Sequence, residues 1–324
     1  MLSKFAVTVS LAAALGAIAL SPAAAGPKGK DAPVTIFVSE LSFSYPHFVF
    51  LHAELEDEAA KIGNVKVIKS DGQLSAPKQT SDIEAAVVQG VDGIIIAPAD
   101  ADALAPAVRS AIAAGVPVVT IDRPVNGVPE VLANVAADNF TGAVHQGEAV
   151  AKLFPNGATI VNLQGVPGDK TAIDRNAGVH KALADKPDAY KFVAEQTARF
   201  SRDQGLAVTE NVLTGLPQPP QVIVAGNDDS ALGAAQAVEA RGLKGKVAIF
   251  GYDGSTEALK AVRDGSLAAT VEQFPGKQGR TAIRTIVDYI RTGAKPAQSN
   301  ILLAPIAITK DNLKDAERFP LLTQ

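Results

Sequence analysis

Short apolar runs alternate with longer stretches of helical spacing along most of the chain. Val34–Val38 and Gly93–Ile96 are continuous apolar runs of strand length, whereas Phe48–Lys61 carries apolar residues on one side at helical spacing. Strands that are apolar on both faces are typical of a parallel sheet covered by helices on both sides. The predicted strands are Val34–Val38, Val65–Ile68, Gly93–Ile96, Val116–Ile121, Thr159–Asn162, Phe192–Glu195, Val222–Ala225, Val247–Phe250 and Ala268–Val271. The pattern predicts an α/β protein with two strand–helix series, each forming a doubly wound parallel sheet.

The first 25 residues follow a different pattern. Lys4 precedes an uncharged, Ala-rich stretch, Phe5–Leu20, and three alanines at 23–25 follow it. A short basic start, an apolar core and a small-residue cleavage site are typical of a secretory signal peptide. The alternative is a membrane anchor, for which the apolar stretch is near the short limit. We expect residues 1–25 to be removed and the protein to reach a bacterial periplasm.

Composition excludes several classes of chemistry. The 324 residues include no Cys, which rules out disulfides, thiol catalysis, Cys-ligated zinc and lipid attachment at an N-terminal Cys. The formal net charge is −4, and no basic face typical of a nucleic-acid binder is visible. The four histidines lack the spacing of a metal site. We expect no metal, no cofactor and no nucleic-acid partner.

Polar side chains that can make paired hydrogen bonds follow several predicted strands. Asp122 and Arg123 follow one strand, and Asn227, Asp253 and Gln273 follow others in the second series. Ligands bind beyond the carboxyl ends of the strands in open parallel sheets. Carboxylate, guanidinium and carboxamide groups each form two hydrogen bonds in one plane, which matches the adjacent hydroxyls of a sugar or polyol.

A set of short motifs points to a known family. In order along the chain, these are Thr120-Ile121-Asp122-Arg123, Ala137-Asp138-Asn139, Leu163-Gln164-Gly165, Gly226-Asn227-Asp228-Asp229, Gly251-Tyr252-Asp253-Gly254 and Leu267–Gln273. With them, nearly all of residues 31–310 resembles the ribose-type periplasmic sugar-binding proteins, the substrate-binding components of ABC transporters. The resemblance implies two lobes joined by three hinge strands, with an N-terminal lobe of 31–137 plus 274–303 and a C-terminal lobe of 138–273 plus 304–324.

The resemblance also implies a ligand site between the lobes. The hydroxyl-binding residues carried over from the family are Asp122, Arg123, Arg175, Asn227, Asp253 and Gln273, and the aromatic walls are Phe48, Phe200 and Tyr252. His47 stands where the family usually has Phe, and Ala97 where it usually has a hydroxyl-binding Asn. Ser42–Tyr45 is longer than usual. These departures imply a neutral monosaccharide or polyol other than D-ribose in its usual pose.

Other interpretations of the same residues remain open. Asp122 and Arg123 could form a local ion pair. The Asn227–Asp229 stretch could cap a helix, and we expect Asn227 to face the ligand while one of the two aspartates serves as the cap. A sugar-processing enzyme or a chemoreceptor-coupled sensor could use the same two-lobe body, although no nucleophile–base set is evident. We expect a monomeric binding protein, not an enzyme, that delivers its ligand to an ABC transporter permease.

Overall fold

The structure, a computed structural model, describes residues 27–322. The predicted signal peptide lies outside the described residues. Helices and strands alternate through the described chain, and two parallel sheets form its centre. The predicted α/β class with two doubly wound sheets is confirmed.

The first sheet has six parallel strands. They are β1 (Val34–Glu40), β2 (Val65–Asp71), β3 (Gly93–Ile96), β4 (Val118–Ile121), β5 (Ala133–Ala137) and β11 (Asn300–Leu303), in the spatial order β11-β5-β4-β3-β1-β2. Apolar residues of α1 (Pro46–Ile62) and α9 (Pro275–Thr292) pack on one face. Those of α2 (Ala76–Val88) and α3 (Ala105–Ala113) pack on the other. We call this sheet with its helices the N-terminal lobe.

The second sheet has four parallel strands, again covered on both faces. They are β6 (Ala158–Gln164), β7 (Tyr190–Thr197), β8 (Val222–Ala225) and β9 (Ala248–Phe250), in the order β7-β6-β8-β9. Its helices are α4 (Asn139–Leu153), α5 (Lys170–Leu183), α6 (Arg202–Gly215), α7 (Asp228–Ala240) and α8 (Thr256–Asp264). The antiparallel pair β10 (Thr270–Glu272) and β12 (Ile306–Ile308) completes what we call the C-terminal lobe, together with two 3-10 helices, Lys310–Asp315 and Phe319–Leu322.

The strand order determines where a ligand can bind. In the first sheet, β2 lies on one side of β1, and β3 lies on the other side. In the second sheet, β7 lies on one side of β6, and β8 lies on the other side. The strand order therefore reverses between β1 and β3 and between β6 and β8. A crevice opens at such a reversal, beyond the carboxyl ends of the strands. The chain passes between the lobes at three places: between β5 and α4, between β10 and α9, and between β11 and β12.

Two glycines allow α6 and α7 to pack closely beside this crevice. A Cβ added at Gly233 on α7 would overlap the carbonyl oxygen of Arg202, and one at Gly205 on α6 would overlap the backbone of Ser230. Backbone atoms give way less easily than the end of a flexible side chain. The close packing therefore depends on these positions having no side chain.

We predict that Gly233→Ala lowers the free energy of unfolding by about 1–3 kcal/mol, because the added methyl group overpacks the contact between α6 and α7. Gly215→Ala is the matched control, since a Cβ at this last residue of α6 meets nothing within 4 Å. We expect the control to be neutral or slightly stabilising. Urea denaturation of both variants measures the difference, and equal stabilities would contradict the packing argument.

Candidate functional site

A cavity of about 1130 Å³ lies between the two lobes, at the carboxyl ends of the strands. Its lining comes from both lobes, and nine of the ten predicted site residues contribute to it. They are His47, Phe48, Asp122, Arg123, Arg175, Phe200, Asn227, Asp253 and Gln273. Below, "polar ring" means Asp122, Arg123, Arg175, Asn227, Asp253 and Gln273.

Asp122 is the anionic centre of the N-terminal side. It follows β4 directly and adopts a left-handed backbone conformation, with φ of 67°. Arg123 Nε donates to its Oδ2 over 3.2 Å, and His47 Nε2 lies 3.2 Å from its Oδ1. Burial by itself raises the pKa of Asp122, but contact with His47 and the charges of Arg123 and Arg175 outweigh it and hold the pKa well below its usual range. Asp122 therefore remains a hydrogen-bond acceptor across the physiological pH range.

Arg175 is the cationic centre of the C-terminal side, and its side chain is only 6% exposed. Its Nε donates to Asn139 Oδ1 over 2.9 Å, and Nη1 donates to the Gly226 carbonyl over 2.8 Å and to Asp253 Oδ1 over 3.2 Å. Nη2 donates to Gln273 Oε1 over 3.4 Å. These bonds fix the plane of the guanidinium group and orient the side chains around it.

Gln273 links this arrangement to the opposite lobe. Its Nε2 donates to Asp253 Oδ1 over 2.7 Å and lies 3.2 Å from His47 Nδ1. Because the amide nitrogen can only donate, His47 Nδ1 must accept and its proton must sit on Nε2, which faces Asp122. The bond to Gln273 joins α1 to the C-terminal side of the cavity, and the Nε2 proton remains without a geometrically good hydrogen bond although Asp122 lies 3.2 Å away.

A second contact between the lobes was not predicted from the sequence. Arg123 Nη1 donates to Asp169 Oδ2 over 2.9 Å, and Asp169 also caps the first turn of α5 by accepting from the N–H of Thr171. An Asp at the start of a helix is typical of an ordinary helix cap, so nothing in the local sequence revealed the partner on the other lobe.

Asn227 corrects the expected division of roles at α7. Asn227 itself caps the helix by accepting from the N–H of Ser230, while its amide nitrogen donates to the Phe200 carbonyl. Neither Asp228 nor Asp229 serves as the cap. Asp228 instead accepts from the N–H of Ser255 in the cavity wall, and Asp229 pairs with Arg202.

The aromatic predictions have different outcomes. Phe48 and Phe200 line the cavity from opposite lobes, as wall residues would. Tyr252 is not among the lining residues: it is fully buried, and the guanidinium carbon of Arg175 lies 3.7 Å from its ring centroid. The Tyr252 ring supports Arg175 from behind through a cation–π contact, because the arginine occupies the place between it and the cavity.

Ala97 also lies away from the cavity. It is fully buried and packs in the apolar core of the N-terminal lobe, while its carbonyl accepts from the Gln79 side chain. The nearby lining residue is Ala99, and Ser44 and Tyr45 of the long loop line the cavity as well. An argument about ligand identity that depends on Ala97 facing a hydroxyl is therefore unsupported.

Seven charged residues line the cavity in addition to the polar ring, and none of them was predicted to bind the ligand. Together with the polar ring they make the cavity nearly neutral, with six carboxyl groups and five guanidinium groups. Burial and the nearby Asp253 charge raise the pKa of Asp228 to about 8, so Asp228 holds its proton at neutral pH. The remaining charges balance. The residues added are Asp169, Arg199, Arg202, Asp228, Asp229, Glu257 and Arg318.

Comparison with known proteins agrees with this geometry. Residues 36–295 match the family model described as "Periplasmic binding protein domain". The chain belongs to the periplasmic binding protein family. It is 40% identical over 263 residues to the ribose import binding protein of Bacillus subtilis, covering 81% of this chain and 83% of that protein. The predicted membership of the ribose-type periplasmic sugar-binding proteins of ABC transporters is confirmed.

Solved structures of this family show the same architecture. The crystal structure of the Caulobacter myo-inositol binding protein with myo-inositol bound is 43% identical, with a TM-score of 0.83 over 91% of this chain and 99% of that one. An Actinobacillus succinogenes solute-binding protein with bound D-allose is 30% identical, with a TM-score of 0.81 over 87% and 99% of the two chains. Within residues 27–322, no helix has the length and apolar character needed to cross a membrane. The chain is a periplasmic sugar-binding protein for import by an ABC transporter. The relatives named here are all sugar- or solute-binding proteins.

We predict that Asp228 makes the folded protein less stable as pH rises. Its folded-state pKa of about 8 exceeds the ordinary value of 3.8, so the folded state binds the proton more tightly, and stability falls between these two values as pH increases. Asp228→Asn replaces the protonated acid by a neutral group of similar shape. In urea denaturation from pH 5 to 7, wild type should lose up to about 1.4 kcal/mol per pH unit relative to the variant.

Asp57→Asn is the control, since Asp57 is exposed on α1. Its stability should follow the pH dependence of wild type. Parallel curves for wild type and Asp228→Asn would mean that Asp228 is ionised in the folded protein.

Proposed function

We propose that the protein captures a neutral cyclic polyol or monosaccharide in the cavity between its lobes and delivers it to an ABC permease, with myo-inositol as the first candidate. One observation carries the proposal: a charge-balanced polar ring, provided by both lobes, lines the cavity together with Phe48 and Phe200. Carboxylates accept from hydroxyls, while guanidinium and amide groups donate to them. An uncharged ligand rich in hydroxyls meets both needs without leaving a buried charge unpaired.

The choice of myo-inositol rests on two further points. His47 adds a polar edge where ribose-type proteins usually have Phe, which favours a ligand with more hydroxyls than a pentose. The protein that is 43% identical over almost the whole chain was crystallised with myo-inositol. Binding without chemical change fits the site better than catalysis, because its central carboxylates are engaged by guanidinium and amide partners.

We predict that myo-inositol binds more tightly than D-ribose or D-allose in calorimetric titrations, and that NMR recovers it unchanged. Asp122→Ala should weaken the binding by roughly 10–150-fold, because it removes a charged hydrogen-bond acceptor and leaves its partners unpaired. Asp57→Ala, on the exposed side of α1, is the control and should bind as wild type does. Tightest binding of D-ribose would contradict the choice of ligand, and an unchanged affinity of Asp122→Ala would contradict the site.

We further propose that the two lobes, 31–137 plus 274–303 and 138–273 plus 304–324, close on the ligand about their three connections. A ligand shifts the equilibrium between open and closed forms only if it binds one of them better. A ligand whose hydroxyls bind Asp122 on one lobe and Arg175 on the other can make both contacts only when the lobes are together. Such a ligand therefore binds the closed form better.

Solution scattering tests the closure. Myo-inositol at about ten times the wild-type dissociation constant should reduce the radius of gyration of wild type. The reduction should be smaller for Asp122→Ala at the same concentration, because the variant is less occupied. An identical profile of wild type with and without bound ligand, at a saturation verified by calorimetry, would contradict closure.

A further inference from the structure

Arg318 belongs to the ligand cavity although it lies near the end of the chain. It sits between the two 3-10 helices of the C-terminal segment, far in sequence from every residue of the polar ring. Only 2% of its surface is exposed, yet it lines the cavity. An arginine is rarely buried to this degree unless its charge is compensated by its surroundings.

The contacts of Arg318 join three parts of the protein. Its Nη2 donates to the carbonyl oxygen of Asp253 over 2.8 Å, and its guanidinium carbon lies 5.1 Å from the ring centroid of Phe50 on α1. Its charge also opposes the rise that burial causes in the pKa of Glu272. Arg318 thus touches the N-terminal lobe through an aromatic ring and the C-terminal lobe through a backbone carbonyl.

The neighbouring residue, Glu317, holds this segment in place. Its carboxylate accepts from Arg280 over 2.5 Å and from the N–H of Gly276 over 2.8 Å, both on α9. Its own N–H donates to Glu272 Oε2 over 3.1 Å. The position of Arg318 is therefore set by contacts on both sides of the connection between β10 and α9.

Asp253 is the residue that needs this support. Its φ of 126° lies in a region that favours glycine, so its conformation persists only if the surroundings hold it. Its N–H donates to the Val271 carbonyl, and its own carbonyl accepts from Arg318. Its carboxylate accepts from Arg175 and Gln273 in the polar ring.

We propose that Arg318 is a positioning residue for ligand binding: it holds the backbone of Asp253 in the strained conformation that directs the carboxylate into the polar ring. The proposal rests on the role of Asp253 in the proposed function. Arg318 acts through Asp253, so its effect on affinity should require the Asp253 side chain.

A double-mutant comparison tests this with myo-inositol, D-ribose and D-allose as probes. Arg318→Met should weaken binding of the best of the three by roughly tenfold, the lower end of what a charge-assisted hydrogen bond contributes. Arg318→Lys keeps the positive charge and a hydrogen-bonding group and should recover part of the loss. Asp253→Gly removes the side chain and relieves the strained φ, and in this background Arg318→Met should cause no further loss.

Arg291→Met is the matched control. Arg291 is also buried and donates to the backbone carbonyls of Ala32 and Gly63, but it lies outside the cavity lining. This variant should lower the free energy of unfolding while its affinity stays within about twofold of wild type, which separates a loss of positioning from a general loss of stability.

The outcomes separate the two proposals. Wild type that binds none of the three probes contradicts the proposed function and this inference with it. If wild type binds a probe and the affinity of Arg318→Met is within twofold of it, the positioning role alone is overturned. The same holds if Arg318→Met loses as much affinity in the Asp253→Gly background as in wild type. If Arg318→Met does not fold, the comparison of Arg318→Lys in the two backgrounds decides, with about a threefold loss expected only where Asp253 is present.

Discussion

The site depends on one buried cation. Arg175 is surrounded by the acceptors of Asn139, Gly226, Asp253 and Gln273, and Tyr252 closes its rear face. A buried guanidinium is tolerable only when its donors are satisfied, so these neighbours cannot move independently of it. The requirement fixes the relative positions of α4, α5, the loops after β8 and β9, and the end of β10. The cavity on that side is rigid because one charge must remain solvated by protein atoms.

Backbone strain is concentrated around the same cavity. Asp122, Arg199, Phe200, Asp253 and Phe274 all have φ values between 51° and 126°, although none is glycine. All five follow the end of a strand by one to three residues, where the chain must turn sharply to present a side chain beyond the sheet edge. Each costs of the order of 1–3 kcal/mol and persists because the surrounding contacts hold it. The support that Arg318 gives to Asp253 is one instance, and the hydrogen bond from the N–H of Asp122 to the Val135 carbonyl is another.

The sequence predicted those features that depend on residues close together in the chain. The continuous apolar runs became central strands, and the polar residues after β4, β8 and β9 reached the cavity because parallel strands end at one edge. The strands at Ala133–Ala137 and Asn300–Leu303 were missed, since one is rich in alanine and the other pairs with it across 166 residues. Tyr252, Ala97 and Asp169 were misassigned or overlooked for a related reason. Whether a side chain faces a cavity, a core or the opposite lobe depends on residues distant in the chain.

Many of the polar groups around the cavity are already engaged in hydrogen bonds with protein atoms, which explains how such a site can be selective. His47 bonds to Gln273 and Arg123 to Asp169, so the lobes already share hydrogen bonds. A ligand hydroxyl entering the polar ring exchanges one set of hydrogen bonds for another, and its net gain is small, about 0.5–1.5 kcal/mol. A hydroxyl in the wrong orientation leaves a buried donor or acceptor unpaired, which costs about 1–3 kcal/mol. Discrimination between stereoisomers therefore comes mainly from the penalty for the wrong ligand, which grows with each rigidly held group in the ring.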